Sequence, residues 1–194
     1  MNRHIPSTKL EPPLNWDRSG LPSWTYFNEE LFELEAEEIF RKHWQIACHS
    51  SDIPKKGCYI TFDLVGERAL IIRDEENEIR AFHNVCRHRG SRVFDTLEGR
   101  CKNVISCPFH GWSYNLDGSL RGAAKANSFP KLDHNKFGLI PLEMEIWHGF
   151  VFVRFKPGPQ PSIASLLERF DEEVSRYNHV DLLQTAPIDC SPSG

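Results

Sequence analysis

Two short motifs limit what this chain can fold into: Cys86-Arg87-His88-Arg89-Gly90 and Cys107-Pro108-Phe109-His110-Gly111-Trp112. They read as C-x-H and C-x-x-H, with 18 residues between His88 and Cys107. Each offers one thiolate and one imidazole, and a strand hairpin, whose ends lie close, can bring two such loops together. Thiolates suit soft, electron-rich centres, and imidazole suits iron and zinc alike. The chain has six cysteines, Cys48, Cys58, Cys86, Cys101, Cys107 and Cys190, and its polar, Pro-broken start has no apolar core of the signal-peptide kind. Metal or cluster binding is therefore expected rather than disulfides. The four cysteines outside the motifs read as small buried apolar residues.

Two metal centres compete for these ligands. A zinc ion would take two Cys and two His tetrahedrally, but zinc sites more often open on C-x-x-C. A 2Fe–2S centre needs two protein ligands per iron, and with both cysteines on one iron and both histidines on the other it is of Rieske type. Cys86, His88, Cys107 and His110 are then the expected ligands, each loop sending its Cys to one iron and its His to the other. Neutral imidazoles in place of two thiolates raise the reduction potential above that of an all-cysteine centre. Gly90 and Gly111, just after the histidines, permit tight turns that let backbone N–H groups approach the sulfides. Pro108 stiffens the second loop.

The rest of the chain divides into three parts. Residues 1–44 hold a Pro-broken arm and a helix predicted over about Glu29–His43, capped by Asn28, with Leu31, Phe32, Leu34, Ile39, Phe40 and Trp44 at helical spacing. Residues 45–156 read as short antiparallel strands: Tyr59–Leu64, Ala69–Arg73, Ile79–Asn84, a hairpin at Asp117-Gly118 and another at Trp147-His148-Gly149. Residues 157–194 begin with a Pro-rich linker, followed by a helix capped by Ser162 with Ile163, Leu166, Leu167, Phe170, Val174 and Tyr177 on one face. The expected fold is mainly β, a sandwich or small barrel with a helix on each side. A net charge of −4 gives no basic field for nucleic acid, and no apolar run is long enough to span a membrane. The default expectation is a cytoplasmic protein.

The two motifs, extended through Ser113-Tyr114, resemble the N-terminal Rieske domain of Rieske non-haem iron oxygenase α subunits, the aromatic-ring-hydroxylating family, over about Trp24 to Tyr177. Phe82-His83-Asn84-Val85 and Gly149-Phe150-Val151-Phe152-Val153 are similar to the same family. The resemblance implies electrons arriving from a ferredoxin or flavin reductase, and homotrimers in which a cluster serves the mononuclear Fe(II) of a neighbouring subunit. It matches Tyr114 to a family tyrosine that can hydrogen-bond a ligand cysteine. Trp112 could shield the cluster, and Arg87 with Arg89 could bias the local field. The stretches Leu21–Tyr26 and Leu31–Trp44 most resemble members acting on choline, carnitine or betaine. Respiratory and photosynthetic Rieske proteins carry an extra Cys in each loop and a Ser after the second His-Gly; here those positions are Ser91, Phe109 and Trp112.

The family's second domain holds its mononuclear iron through two His and one Asp, on a segment with N-x-x-H-x-x-x-x-H spacing. Downstream of Val153 there is no H-x-x-x-x-H, so the chain reads as the electron-transfer part of an oxygenase without its catalytic site. His179-Val180-Asp181 is an isolated H-x-D, and His83 reads as a strand-end histidine. A stand-alone Rieske ferredoxin is the other reading; the two helices exceed what such a carrier needs. Fewer hydrogen bonds to sulfur stabilise the reduced state less. A redox titration should therefore place the midpoint toward the bottom of the Rieske range, at roughly −150 mV. A clearly positive midpoint contradicts this reading.

Overall fold

The computed structural model describes residues 20–124 and 132–177. Its centre is β3 (Glu67–Arg73), where Ala69, Leu70, Ile71 and Ile72 are all completely buried. A strand shows alternate residues to opposite faces, so such a run needs apolar layers on both sides. The four-stranded sheet supplies them, in the order β4 (Ile79–His83), β3, β2 (Cys58–Leu64), β5 (Glu98–Arg100). Leu70 and Ile72, with Phe82 and Tyr59, face a core that holds Cys86, Ile105, Cys107, Trp112 and Tyr114. Ala69 and Ile71, with Ala81, face a second core with Ile53, Val151, Val153 and Phe155. Burying each of Leu70, Ile71 and Ile72 contributes about 1.5–3 kcal/mol.

A three-stranded sheet closes each core. On one side β1 (Gln45–His49), β10 (Phe150–Arg154) and β9 (Glu143–Trp147) pair antiparallel in that order. The β9–β10 turn is the expected hairpin: Trp147 pairs with Phe150, and the two residues between them, His148 and Gly149, have φ of 47° and 85°. Positive φ at both central positions is the type I′ signature that matches strand twist. On the other side β6 (Ile105–Ser106), β7 (Ser113–Tyr114) and β8 (Leu120–Gly122) form a small sheet. Its β7–β8 turn is the expected Asp117-Gly118 hairpin. The mainly β, antiparallel fold is thus as the sequence predicts. No helix among the described residues is long and apolar enough to cross a membrane.

The helices depart from expectation. α1 covers only Glu29–Glu35, with the Asn28 side chain accepting from Leu31 N–H at 2.8 Å. A wide turn over Ala36–Phe40 follows, in which Arg41 N–H reaches Ala36 O, so the helical run ends before the predicted His43. Arg41 keeps its i,i+4 pair with Glu37 and also reaches Glu67 and the Val65 carbonyl. The second helix is broken into α2 (Ile163–Leu167), a tight turn over Glu168–Phe170 and α3 (Asp171–Val174). Of its predicted apolar face only Ile163 is buried; Tyr177 is 64% exposed. The break coincides with Asp171, whose carboxylate accepts from Trp147 Nε1 and is 2.7 Å from His148 Nε2. His179-Val180-Asp181 lies outside the described residues.

One buried polar side chain sets the path from β4 into the first motif. Asn84, fully buried, accepts from the backbone N–H groups of Val93 and Phe94 at 3.1 and 3.0 Å and donates to the Phe94 carbonyl at 2.8 Å. It therefore pins both ends of the loop that contains Cys86 and His88. Asn84→Ala would strand buried donors worth about 1–3 kcal/mol each. Urea unfolding of Asn84→Ala should show a loss of about 2–4 kcal/mol, against less than about 0.5 kcal/mol for an exposed control substitution.

Candidate metal centre

The two motifs are near-copies as backbone. In the first loop Cys86 N–H donates to Ser91 O at 2.8 Å and Gly90 N–H to Cys86 O at 3.0 Å; in the second, Cys107 N–H donates to Trp112 O at 2.8 Å and Gly111 N–H to Cys107 O at 3.0 Å. Gly90 and Gly111 take φ of 72° and 69°, where a side chain is strained. A Cβ at Gly90 would meet nothing within 4 Å, so there the requirement is conformational and not spatial. The glycine N–H groups close the turns themselves, so any backbone N–H reaching a sulfide belongs to another residue of the loop.

The loops start from different sheets. The first leaves β4 of the central sheet, and the second joins β6 to β7. They meet through Tyr114, which is buried on β7. Its hydroxyl accepts from Arg87 N–H at 3.0 Å and lies 3.2 Å from Cys86 Sγ. The phenol has one hydrogen, which is free to point at the sulfur, so Tyr114 can donate to Cys86 Sγ while accepting from the adjoining backbone. This is the role the family resemblance implied for it.

Thiols and imidazoles are sorted to different depths. Cys86 and Cys107 are each 2% exposed, whereas His88 is half-buried and His110 exposed. The imidazole rings of His88 and His110 stand edge to face with centroids 4.6 Å apart. Burial pushes the Cys86 thiol upward and outweighs the Tyr114 hydrogen bond, and the neighbouring Cys107 sulfur pushes the same way. Burial also raises the Tyr114 hydroxyl, as does its bond to Cys86. His88 is held below the usual histidine range, first by burial and then by the charges of His110 and Arg89. A neutral imidazole is the metal-binding form. Paired thiols beneath paired imidazoles is the donor set that a cluster with unlike ligands on its two irons requires.

Trp112, 2% exposed, stacks on the His88 ring at 5.1 Å and 11° and is met edge-on by Phe137 at 5.9 Å. Phe109 stands 69% exposed beside His110, with centroids 4.4 Å apart. Arg87 is half-buried, Arg89 is exposed, and Arg92 pairs with Asp63. His83 is apart from the site: its ring faces Phe155, 6.2 Å away, and burial lowers its pKa. Cys48, Cys58 and Cys101 are half-buried free thiols on the flanks of the two cores. Sequence reasoning missed Asn84 and Phe137 as supports of the site. Asn84 bonds Val93 and Phe94 across a loop and Phe137 meets Trp112 from another part of the chain, spacings that no strand or helix period encodes.

Comparison with known proteins agrees with this geometry. Residues 43–133 match the model of the Rieske [2Fe-2S] domain family. The carnitine monooxygenase oxygenase subunit of Escherichia coli strain K12 is 37% identical over 150 residues, covering 75% of this chain and 40% of that protein. The glycine betaine monooxygenase oxygenase subunit of Pseudomonas aeruginosa strain UCBPP-PA14 is 35% identical over 159 residues, covering 82% and 36%. The crystal structure of the quaternary ammonium Rieske monooxygenase CntA with L-carnitine superposes with a TM-score of 0.71 at 36% identity, covering 78% of this chain and 43% of that one. The chain spans about 40% of the length of the first curated relative. It therefore carries a Rieske [2Fe–2S] domain. That domain is of the kind found in the α subunits of Rieske non-haem iron oxygenases, which sets the zinc reading aside.

Removing the Tyr114 hydroxyl leaves Arg87 N–H without its partner. Tyr114→Phe should cost about 1–3 kcal/mol in chemical denaturation while leaving the far-ultraviolet spectrum unchanged.

Proposed function

We propose that Cys86 and Cys107 bind one iron, and His88 and His110 the other, of a Rieske 2Fe–2S centre, and that the chain is the electron-transfer portion of an oxygenase. The observation that carries this is the sorting of the four side chains: two buried thiols beneath two imidazoles, one of them exposed. When bound, the cluster supplies one-electron transfer at a potential set by its ligands and their hydrogen bonds. The residues supply the rest. Tyr114 bonds the Cys86 sulfur and fixes the first loop; Gly90 and Gly111 close the turns. Trp112 covers one face of His88, and Arg87 and Arg89 put positive charge beside the site.

The electrons would come from a ferredoxin or flavin reductase and go to a mononuclear Fe(II) held by residues outside this chain, in a homotrimer whose subunits exchange electrons. Residues 1–44 and 157–194 would flank the Rieske domain at 45–156 and lead toward the catalytic domain. The apolar side chains left exposed there, Phe32, Leu34 and Ile39 before the domain and Leu166 and Phe170 after it, support that reading over a stand-alone ferredoxin. The similarity to carnitine and glycine betaine monooxygenase subunits supports hydroxylation or demethylation of a methylated quaternary amine over an aromatic substrate. A cytoplasmic location fits an enzyme fed by such soluble donors.

The test is anaerobic reconstitution. The chain should take up about two irons and two sulfides and give a visible spectrum that changes on one-electron reduction. His110→Ala should lose the cluster, and Arg89→Ala should keep it. A colourless chain holding zinc alone, or a cluster that survives His110→Ala, contradicts the assignment.

A further inference from the structure

The two candidate imidazole ligands have different surroundings, and the difference traces to Trp112. The Trp112 indole lies parallel to the His88 ring, 5.1 Å away and tilted by 11°. Trp112 is 2% exposed, so its position is set by packing. Phe137 meets it edge-on at 5.9 Å and 74°, and Phe137 itself packs against the core that includes Tyr114, Leu120 and Leu139. A rigid column thus runs from Phe137 through Trp112 of the second loop to His88 of the first. Among the described residues no such column reaches His110; it is exposed, with the exposed Phe109 standing edge-on to it.

We propose that Trp112 is a positioning residue for His88: by stacking on the ring it fixes the plane of one imidazole ligand and keeps water from that face, making the two imidazoles inequivalent. This rests on the ligand assignment above. The physical case is simple. An imidazole bound through one nitrogen still turns about that bond, and a parallel aromatic neighbour restricts the turn. The orientation of a ligand ring governs how it overlaps with the metal, as surrounding residues do for histidine ligands in general. The column crosses from one loop to the other, so it further resists their separation.

The test uses the reconstituted full chain labelled with 15N-histidine, reduced, and read by electron–nuclear double resonance. The wild type should give two distinct histidine nitrogen couplings. Trp112→Leu keeps an apolar side chain but removes the ring; one of the two couplings should broaden or shift while the other stays. Trp112→Phe keeps a stacking ring and should restore most of the wild-type pattern. In D2O, Trp112→Leu should also deepen the deuterium modulation at one imidazole. If Trp112→Leu does not retain its cluster, Phe137→Leu, which removes only the brace, should produce the same one-sided broadening in smaller degree. Two unchanged couplings in whichever of these variants retains the cluster, or equal change in both, overturn the proposal. A wild-type chain with no histidine nitrogen coupling at all would instead refute the ligand assignment beneath it.

Discussion

The proposed metal centre depends on two loops from different sheets being held together, and the Tyr114 hydroxyl is where they are bonded. One oxygen accepts from the backbone of the first loop and faces the sulfur of Cys86, while its own strand carries the second loop. The bond works because both loops use the same turn. Each closes a Cys carbonyl onto a glycine N–H four residues on, which lets the sulfurs point inward and the imidazoles outward. Beneath them the central sheet is buried on both faces, so the platform that carries the first loop is anchored from either side.

That arrangement explains the split between depth and access. A buried thiolate is costly without a hydrogen-bond donor; Cys86 and Cys107 are both buried, and the Tyr114 hydroxyl lies within hydrogen-bond distance of Cys86 Sγ. Burial pushes the Cys86 thiol upward, so the pocket disfavours a bare anion there; in the proposed centre, iron would neutralise the charge of the cysteines. The imidazoles sit nearer the surface, where an electron can leave or arrive. His110 is the more open of the two, and His88 is covered by Trp112. The same fold leaves the apolar side chains of Phe32 and Leu34 on α1, and of Leu166 and Phe170 on the α2–α3 segment, exposed.

Much of this was legible in the sequence. The two loop motifs, the hairpins at Trp147-His148-Gly149 and Asp117-Gly118 and the proximity of Tyr114 to Cys86 all depend on residues close together or on a matched motif. Helix ends were not legible. The run that begins at Glu29 ends early, and Arg41 beyond it reaches Glu67 and Val65, contacts made across more than twenty residues. The Ser162 helix breaks where the Asp171 carboxylate is taken by Trp147 and His148. Asn84 was visible only as part of a family-like stretch. That it pins a loop by bonds to Val93 and Phe94 is a tertiary fact that no period or propensity encodes.

The central claim is that one iron is held by sulfur and the other by nitrogen. Mössbauer spectroscopy of the chain reconstituted with 57Fe tests it most directly. The account predicts two unlike iron sites in the oxidised protein, with the electron localised on the nitrogen-bound iron after reduction. Two equivalent sulfur-bound irons, or a single mononuclear site, would contradict it.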